Sequence, residues 1–275
     1  MTKEKLFEQI KLKKSFLCVG LDIDKDLIPK SLKRDSNIIF TFCKNIVDAT
    51  APFCVALKPN IAFFEAYGIE GWESLNKLVT YVKKSYPEIF LIADAKRADI
   101  GNTSIRYAKA FFEYFNFDAI TLSPYMGFDS VEPFLTYKNK YGILLGLTSN
   151  AGAKDFQLKS FGEVKVYEHI IKTSLKWKNS KQLMYVVGAT KSNYMNKIRK
   201  LIPDHFLLIP GIGAQGGSLR NVAKEGMNKK CGILVNSSRS IIYSSKNRDY
   251  ATKAEQVARK MQFEMNELLI ENQVI

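Results

Sequence analysis

The sequence has little of the chemistry on which metal centres and disulfide scaffolds depend. Its 275 residues include four cysteines and two histidines. The cysteines lie far apart without a CxxC pair, at Cys18, Cys43, Cys54 and Cys231. Their neighbours are apolar, so we expect buried, reduced thiols and no metal site. Neither His169 nor His205 follows a predicted strand, and we assign them no role.

Long apolar runs are also absent. None reaches the roughly 18 residues that a membrane-spanning helix requires. The N-terminal residues 1–14 are charged and lack the apolar segment of a signal peptide. We therefore expect a cytoplasmic protein without a membrane partner.

Acidic residues are scarce relative to basic ones. There are 27 Asp and Glu against 41 Lys and Arg, a formal net charge of +14. Such an excess can indicate nucleic-acid binding. Most of the basic residues are Lys, however, whereas Arg is favoured for specific phosphate and base recognition. A nucleic-acid-binding protein stays an alternative, but we favour a lysine-rich compositional bias and expect no nucleic-acid partner.

The sequence does contain a regular alternation of short apolar segments and amphipathic helical segments. Eight segments resemble strands covered on both faces of a parallel sheet, at residues 15–21, 53–57, 90–93, 118–122, 142–147, 183–188, 206–209 and 231–235. Helical periodicity marks residues 38–50, 72–85, 103–115, 164–177, 193–200, 218–225 and 251–269. No linker divides the chain. The alternation predicts the α/β class and a single (β/α)8 TIM barrel, with residues 1–275 as one domain.

One glycine-rich motif could instead indicate an open, doubly wound dinucleotide-binding sheet. Gly211-Ile-Gly213-Ala-Gln-Gly216 matches G-x-G-x-x-G, but it follows the seventh strand and has no acidic residue about 20 positions later. In a barrel, the backbone N–H groups of such a loop can bind a phosphate. Arg239 follows the eighth strand, where a short helix would begin. We therefore predict a phosphate site from Pro210, Gln215 and Arg239.

Polar residues also follow the other strands, at the carboxyl ends where barrels carry their active sites. Asp22 ends the first strand, Lys58 the second and Ser149 the fifth, and the third runs into Asp94-Ala-Lys96-Arg-Ala-Asp99. Regular alternation would point residues 94 and 96 the same way, into the barrel mouth. Two carboxylates would then keep the Lys96 ammonium protonated, which suits a general acid better than a Schiff-base lysine. A surface salt-bridge cluster is the alternative, which the second cation at Lys58 disfavours.

Together these motifs resemble the orotidine 5′-phosphate decarboxylase family. The segment from Asp94 through Lys96, Asp99 and Ile100 to Thr103 is similar to its D-x-K-x-x-D-I-x-x-T signature. Further similarities are Leu21-Asp22, Lys58-Pro-Asn, Pro210-Gly-Ile-Gly-Ala-Gln215-Gly-Gly and Ser238-Arg239-Ser. The resemblance covers residues 16–240 and is most like the longer bacterial branch. Ala98 departs from the glycine common in that branch, which affects the loop geometry and leaves the charged residues in place.

The resemblance implies decarboxylation of orotidine 5′-phosphate to UMP without a metal or cofactor. Lys96 would protonate C6 of the pyrimidine, Asp94 would lie against the substrate carboxylate, and Lys58 would complete the charge network. The implied binding residues are Asp22 for the ribose, Ser149 for the pyrimidine, and Pro210, Gln215 and Arg239 for the phosphate. The family also implies a homodimer with shared active sites. Catalytic Asp99, with Ile100 and Thr103, would reach into the partner's site.

A related group of barrels is the closest alternative. Magnesium-dependent 3-keto-gulonate 6-phosphate decarboxylase and hexulose phosphate synthase share the D-x-K-x-x-D pattern. They have an acidic metal ligand at the end of the second strand. This chain has Lys58 there, which would repel a cation.

Overall fold

Eight parallel strands close into a barrel in the computed structural model, which describes residues 1–212 and 217–275. The strands are β1 (Leu17–Leu21), β2 (Ala56–Pro59), β3 (Phe90–Arg97), β4 (Ala119–Leu122), β5 (Tyr141–Leu147), β6 (Leu183–Val187), β7 (Leu207–Pro210) and β8 (Ile233–Ser237). Each strand pairs with the next one in the chain, and β8 pairs with β1. The predicted TIM barrel is confirmed, and the open dinucleotide-binding sheet is wrong.

Helices follow the strands and surround the barrel. In the described ranges they are α1 (Lys3–Lys13), α2 (Ile38–Thr50), α3 (Ile61–Glu65), α4 (Gly68–Ser85), α5 (Gly101–Lys109), α6 (Phe128–Leu135), α7 (Val166–Ser174), α8 (Ser192–Leu201), α9 (Leu219–Gly226), α10 (Arg239–Ile242) and α11 (Tyr250–Glu271). A π-helical turn, Ala110–Tyr114, extends α5. No helix among the described residues is both long and apolar enough to cross a membrane.

The sequence periodicity located most of these elements, with errors where polar residues take part in strands. The prediction for α2 agrees with the structure at both ends. The predicted helix over residues 164–177 begins too early, because Val164–Lys165 pairs with Ser160–Phe161 in a small antiparallel hairpin. Strand β3 continues four residues beyond the apolar run that predicted it. Short α3 was not predicted.

The two terminal helices pack onto the barrel and belong to its hydrophobic core. Leu6 and Ile10 of α1 are fully buried, as are Met265 and Leu269 of α11. Their apolar positions recur at helical spacing, so each helix presents one apolar face to the barrel. The four cysteines are buried, as predicted, and form no disulfide bond.

His205, which lies just before β7, makes the folding stability of the barrel depend on pH. Its ring packs edge-to-face against buried Tyr185. Burial, together with the nearby Lys3 charge, lowers the pKa of His205 to about 4. Between that value and the ordinary histidine pKa of about 6.5, only the unfolded chain binds the proton. Folding stability is therefore lost as the pH falls through this window.

We predict that His205→Phe removes this part of the acid sensitivity. Between pH 7.5 and pH 5 the variant should lose about 2 kcal/mol less of its free energy of unfolding than the wild type. Urea denaturation at both pH values measures the difference. The matched control is His169→Phe, since His169 is exposed. Equal pH dependence in wild type and His205→Phe would contradict the prediction.

Candidate active site

The carboxyl end of β3 is irregular, and this irregularity places Lys96. The register of β3 with β4 shifts between Ala93 and Arg97, and Lys96 has φ of 48°. Left-handed backbone is unfavourable for a residue with a side chain, so neighbouring contacts must hold it. One such contact is the Lys96 N–H, which donates to Thr121 Oγ1 at 2.9 Å. The prediction of regular alternation from Asp94 to Lys96 is therefore wrong, although the two side chains do meet.

Asp94 lies between two ammonium groups at the barrel mouth. Its Oδ2 is 2.7 Å from Lys58 Nζ, and its Oδ1 is 2.6 Å from Lys96 Nζ. The Thr121 hydroxyl also donates to Asp94 Oδ1, at 3.0 Å. The sequence-based hypothesis placed two carboxylates around one ammonium. The structure has the reverse, with one carboxylate shared by two lysines.

Electrostatic interactions within this cluster keep Asp94 and Lys58 charged despite their burial. Burial by itself would raise the pKa of Asp94, but the charges and hydrogen bonds of Lys58 and Lys96 outweigh it and hold that pKa well below its usual range. Burial would lower the pKa of Lys58, but the charges of Asp94 and Asp22 raise it above its ordinary value. The Lys58 side chain is 5% exposed and that of Lys96 is 52% exposed. Lys96 is thus the ammonium that a ligand in the mouth can reach.

Asp22 supplies a second acidic side chain beside this cluster. It follows β1, and its Oδ1 is buried without a hydrogen-bond partner in the described part of the chain. The Tyr243 hydroxyl accepts from the Asp24 N–H at 2.7 Å and donates to the Asp22 carbonyl at 3.0 Å. The backbone is therefore held, and the buried carboxylate oxygen is left needing a donor.

The ends of β7 and β8 lie side by side. Pro210 is in register with Asn236, and the Gly217 N–H donates to the Gly211 carbonyl at 3.3 Å. Gly211 has φ of 101°, a conformation that favours glycine. Arg239 is exposed at the first residue of α10. Gln215 lies outside the described residues.

Ser149 follows β5 and contacts the end of β6. The backbone approach is close, because a Cβ on Gly188 would lie 2.6 Å from the Ser149 nitrogen. Ser149 is half-buried at the barrel mouth.

Three predicted residues do not join the Asp94 cluster within one chain. The Asp99 Oδ1 accepts from the neighbouring Ile100 N–H at 2.8 Å and forms no ion pair with the described residues. Ile100 is 57% exposed, and Thr103 is exposed on α5. The pattern-based expectation that Asp99 shares a cluster with Lys96 is therefore not met by a single subunit.

Thr121 is the site residue that sequence reasoning missed. It is almost fully buried and joins the Lys96 backbone to the Asp94 carboxylate. A signal was present, since Thr121 is the only hydroxyl in the apolar segment that predicted β4. A buried polar group must find a partner, and the polar end of β3 is adjacent.

Comparison with known proteins identifies the family of the chain. Residues 15–254 match the family described as orotidine 5′-phosphate decarboxylase / HUMPS. The chain belongs to this family. It is 59% identical over 269 residues to the orotidine 5′-phosphate decarboxylase of Flavobacterium johnsoniae, covering 98% of each chain. It is 54% identical to the protein of that name from Phocaeicola vulgatus, over 98% of this chain and 99% of the relative.

Solved structures of the same family share the fold. The OMP decarboxylase of Leishmania donovani superposes with a TM-score of 0.80 at 33% identity, covering 96% of this chain and 99% of that one. A Toxoplasma gondii structure described as a putative orotidine-monophosphate-decarboxylase gives a TM-score of 0.83 at 29% identity, covering 97% of each chain. The resemblance inferred from the motifs is thereby confirmed for the fold and the family.

We predict that Thr121→Val destabilises the protein. Valine has a similar shape but leaves the Lys96 N–H without its acceptor and Asp94 without one donor. The cost should be about 1–3 kcal/mol in the free energy of unfolding at pH 7, measured by urea denaturation. Thr121→Ser is the control, because it keeps the hydroxyl. Equal stability of the valine and serine variants would contradict the assigned contacts.

Proposed function

We propose that this protein converts orotidine 5′-phosphate to UMP and carbon dioxide in pyrimidine biosynthesis. The observation that carries the proposal is the Lys58–Asp94–Lys96 charge cluster at the mouth of a barrel of this family. Two bacterial relatives that are more than 50% identical to this chain are named orotidine 5′-phosphate decarboxylase. We also propose that residues 1–275 form one domain, since both terminal helices contribute to the barrel core.

The reaction needs stabilisation of negative charge at C6. The bond between C6 and the carboxylate carbon breaks, its electron pair stays on C6, and carbon dioxide leaves. Lys96 then transfers a proton from Nζ to C6. A fixed ammonium interacts more favourably with the localised carbanion than with the more distant carboxylate of the substrate, so it lowers the barrier.

Asp94 and Lys58 prepare this step. The two lysines keep Asp94 ionised, so a substrate carboxylate beside it experiences a like charge that the loss of carbon dioxide relieves. Lys58 is buried and paired on the far carboxylate oxygen, which fixes Asp94 while Lys96 stays accessible. Lys58 and Asp94 thus hold Lys96 in place for proton transfer.

The remaining candidate residues would bind the rest of the nucleotide. Asp22 offers a buried, unpartnered carboxylate oxygen to the ribose hydroxyls. Ser149 would contact the pyrimidine. Pro210 and Arg239 would bind the phosphate, where a guanidinium and loop N–H groups suit a dianion. The role of Gln215 in the same loop rests on its sequence motif alone.

A homodimer with shared active sites would complete the site. Asp99, Ile100 and Thr103 follow β3 and are not joined to the cluster of their own chain by any hydrogen bond or ion pair among the described residues, as would suit an element contributed to a neighbour. Tyr125, which follows β4, is 91% exposed. Exposed apolar and aromatic side chains next to candidate site residues favour a subunit interface here. A cytoplasmic location fits the four free thiols.

The magnesium-dependent alternative needs an acid where this chain has Lys58. The buried Lys58 ammonium is committed to Asp94 and occupies the place of the metal ligand. The geometry thus favours the metal-independent reaction.

We predict that Lys96→Ala abolishes decarboxylation while the fold is kept. The expected loss is at least about a thousandfold in kcat, because the variant lacks both the proton donor and the fixed positive charge. The decrease in absorbance of orotidine 5′-phosphate measures turnover, and circular dichroism measures folding. Lys253→Ala, on the exposed side of α11, is the matched control.

The same assay, run with a chelator, distinguishes metal-independent decarboxylation of orotidine 5′-phosphate from the magnesium-dependent alternative. Wild-type activity should persist in EDTA. Strict dependence on added magnesium would favour the alternative, and full turnover by Lys96→Ala would refute the assigned proton donor.

We predict that two inactive variants restore activity when mixed. In a heterodimer of Lys96→Ala and Asp99→Ala, one of the two shared sites contains both wild-type residues. Random exchange of subunits should recover about a quarter of the wild-type activity, since half of the dimers are mixed. The assay is turnover after mixing and refolding, with each variant alone as the control. Absence of recovery would contradict a site built across the interface.

A further inference from the structure

The residue that precedes Ser149 is held at two points by one distant side chain. The Thr148 N–H donates to Gln157 Oε1 at 2.7 Å. Gln157 Nε2 donates to Thr148 Oγ1 at 2.9 Å, and that hydroxyl donates to Asn150 Oδ1 at 2.6 Å. The amide therefore fixes both the backbone and the side chain of Thr148.

Gln157 is itself anchored in the segment between β5 and α7. Its carbonyl accepts from the Tyr167 N–H at 3.1 Å, and the Tyr167 side chain is fully buried. The next residue, Leu158, donates its N–H to the carbonyl of buried Ala153 at 3.0 Å. The amide of Gln157 thus starts from a fixed backbone, so little conformational freedom is lost when it binds Thr148.

Ser149 is confined from the other side by the end of β6. Gly188 approaches its backbone within van der Waals contact, and the Thr190 hydroxyl donates to the Ser149 carbonyl at 3.4 Å. Gln157 fixes the residue before Ser149, and Gly188 packs against the Ser149 backbone from the end of β6. The orientation of Ser149 therefore depends on both contacts.

We infer that Gln157 is a positioning residue that orients Ser149 toward the pyrimidine and so contributes to recognition of the base. The inference rests on the proposed function, because it takes the ligand to be a pyrimidine nucleotide. Gln157 acts through Thr148 and Ser149. The phosphate end, at Pro210 and Arg239, lies on β7 and the residues after β8 and does not share these contacts.

This separation gives a specific expectation for ligands with and without a base. Gln157→Ala removes the two hydrogen bonds between the Gln157 amide and Thr148. It should raise the dissociation constant of UMP about tenfold, equivalent to ~1.4 kcal/mol. The dissociation constant of ribose 5-phosphate should stay within about twofold, since that ligand has no base for Ser149 to contact. Isothermal titration calorimetry measures both. A general destabilisation of the barrel would instead lower the affinity for both ligands to the same extent.

Two further variants sharpen the experiment. Gln157→Glu keeps an oxygen acceptor for the Thr148 N–H and should restore most of the UMP affinity. Lys154→Ala, an exposed residue of the same segment, is the matched control and should bind both ligands as the wild type does. Amide hydrogen exchange tests the contact without any ligand, because the Thr148 N–H should exchange faster in Gln157→Ala than in Lys154→Ala.

The outcomes distinguish this inference from the proposed function. Wild-type protein that neither binds UMP nor decarboxylates orotidine 5′-phosphate would refute the proposed function. Wild-type UMP binding with Gln157→Ala unchanged, or weakened equally for UMP and ribose 5-phosphate, would overturn only the role of Gln157. Unchanged exchange at Thr148 would also overturn it.

Discussion

The site depends on one buried carboxylate that two ammonium groups share. Asp94 and Lys58 are largely removed from water, and each would be costly to bury alone. Paired, they remain charged, and the second oxygen of Asp94 is free to fix Lys96. Loss of Asp94 would leave the buried Lys58 ammonium without its partner. The same interaction therefore secures the end of the barrel and sets the charge that a substrate meets.

The barrel supplies this arrangement because parallel strands bring their carboxyl ends together. Lys58 ends β2, Asp94 and Lys96 belong to β3, and Thr121 belongs to β4. No local segment could assemble these groups, since they are separated by up to 63 positions along the chain. The left-handed backbone at Lys96 is tolerated because Thr121 of β4 accepts its N–H, while the side chain is paired with Asp94. Strain at this one residue is thus maintained by contacts that form only when β3 and β4 lie side by side.

Much of the fold could be predicted from the sequence, because strand and helix periodicities are local properties. The strand ends at Asp22 and Lys58 could be located for the same reason. The bulge in β3 could not, since it depends on register with β4, and the contact between Asp94 and Lys96 was therefore predicted from a wrong geometry. Gln157 gave no signal at all, because a loop amide has no periodicity and its partner is known only from the folded backbone.

The mouth of the barrel divides into regions with separate physical tasks. The ends of β1 to β4 carry the charge cluster, the ends of β5 and β6 confine Ser149, and the ends of β7 and β8 pair Pro210 with Asn236, shortly before Arg239 in the chain. In the proposed reaction, neither ribose nor phosphate changes chemically. Their binding energy can nevertheless hold the pyrimidine against Lys96 and Asp94, where binding a carboxylate beside a carboxylate is unfavourable. A site that repels the substrate carboxylate at the reacting atoms must bind the rest of the nucleotide strongly. The charge cluster supplies the repulsion, and the regions at Ser149 and at Pro210 and Arg239 supply the binding.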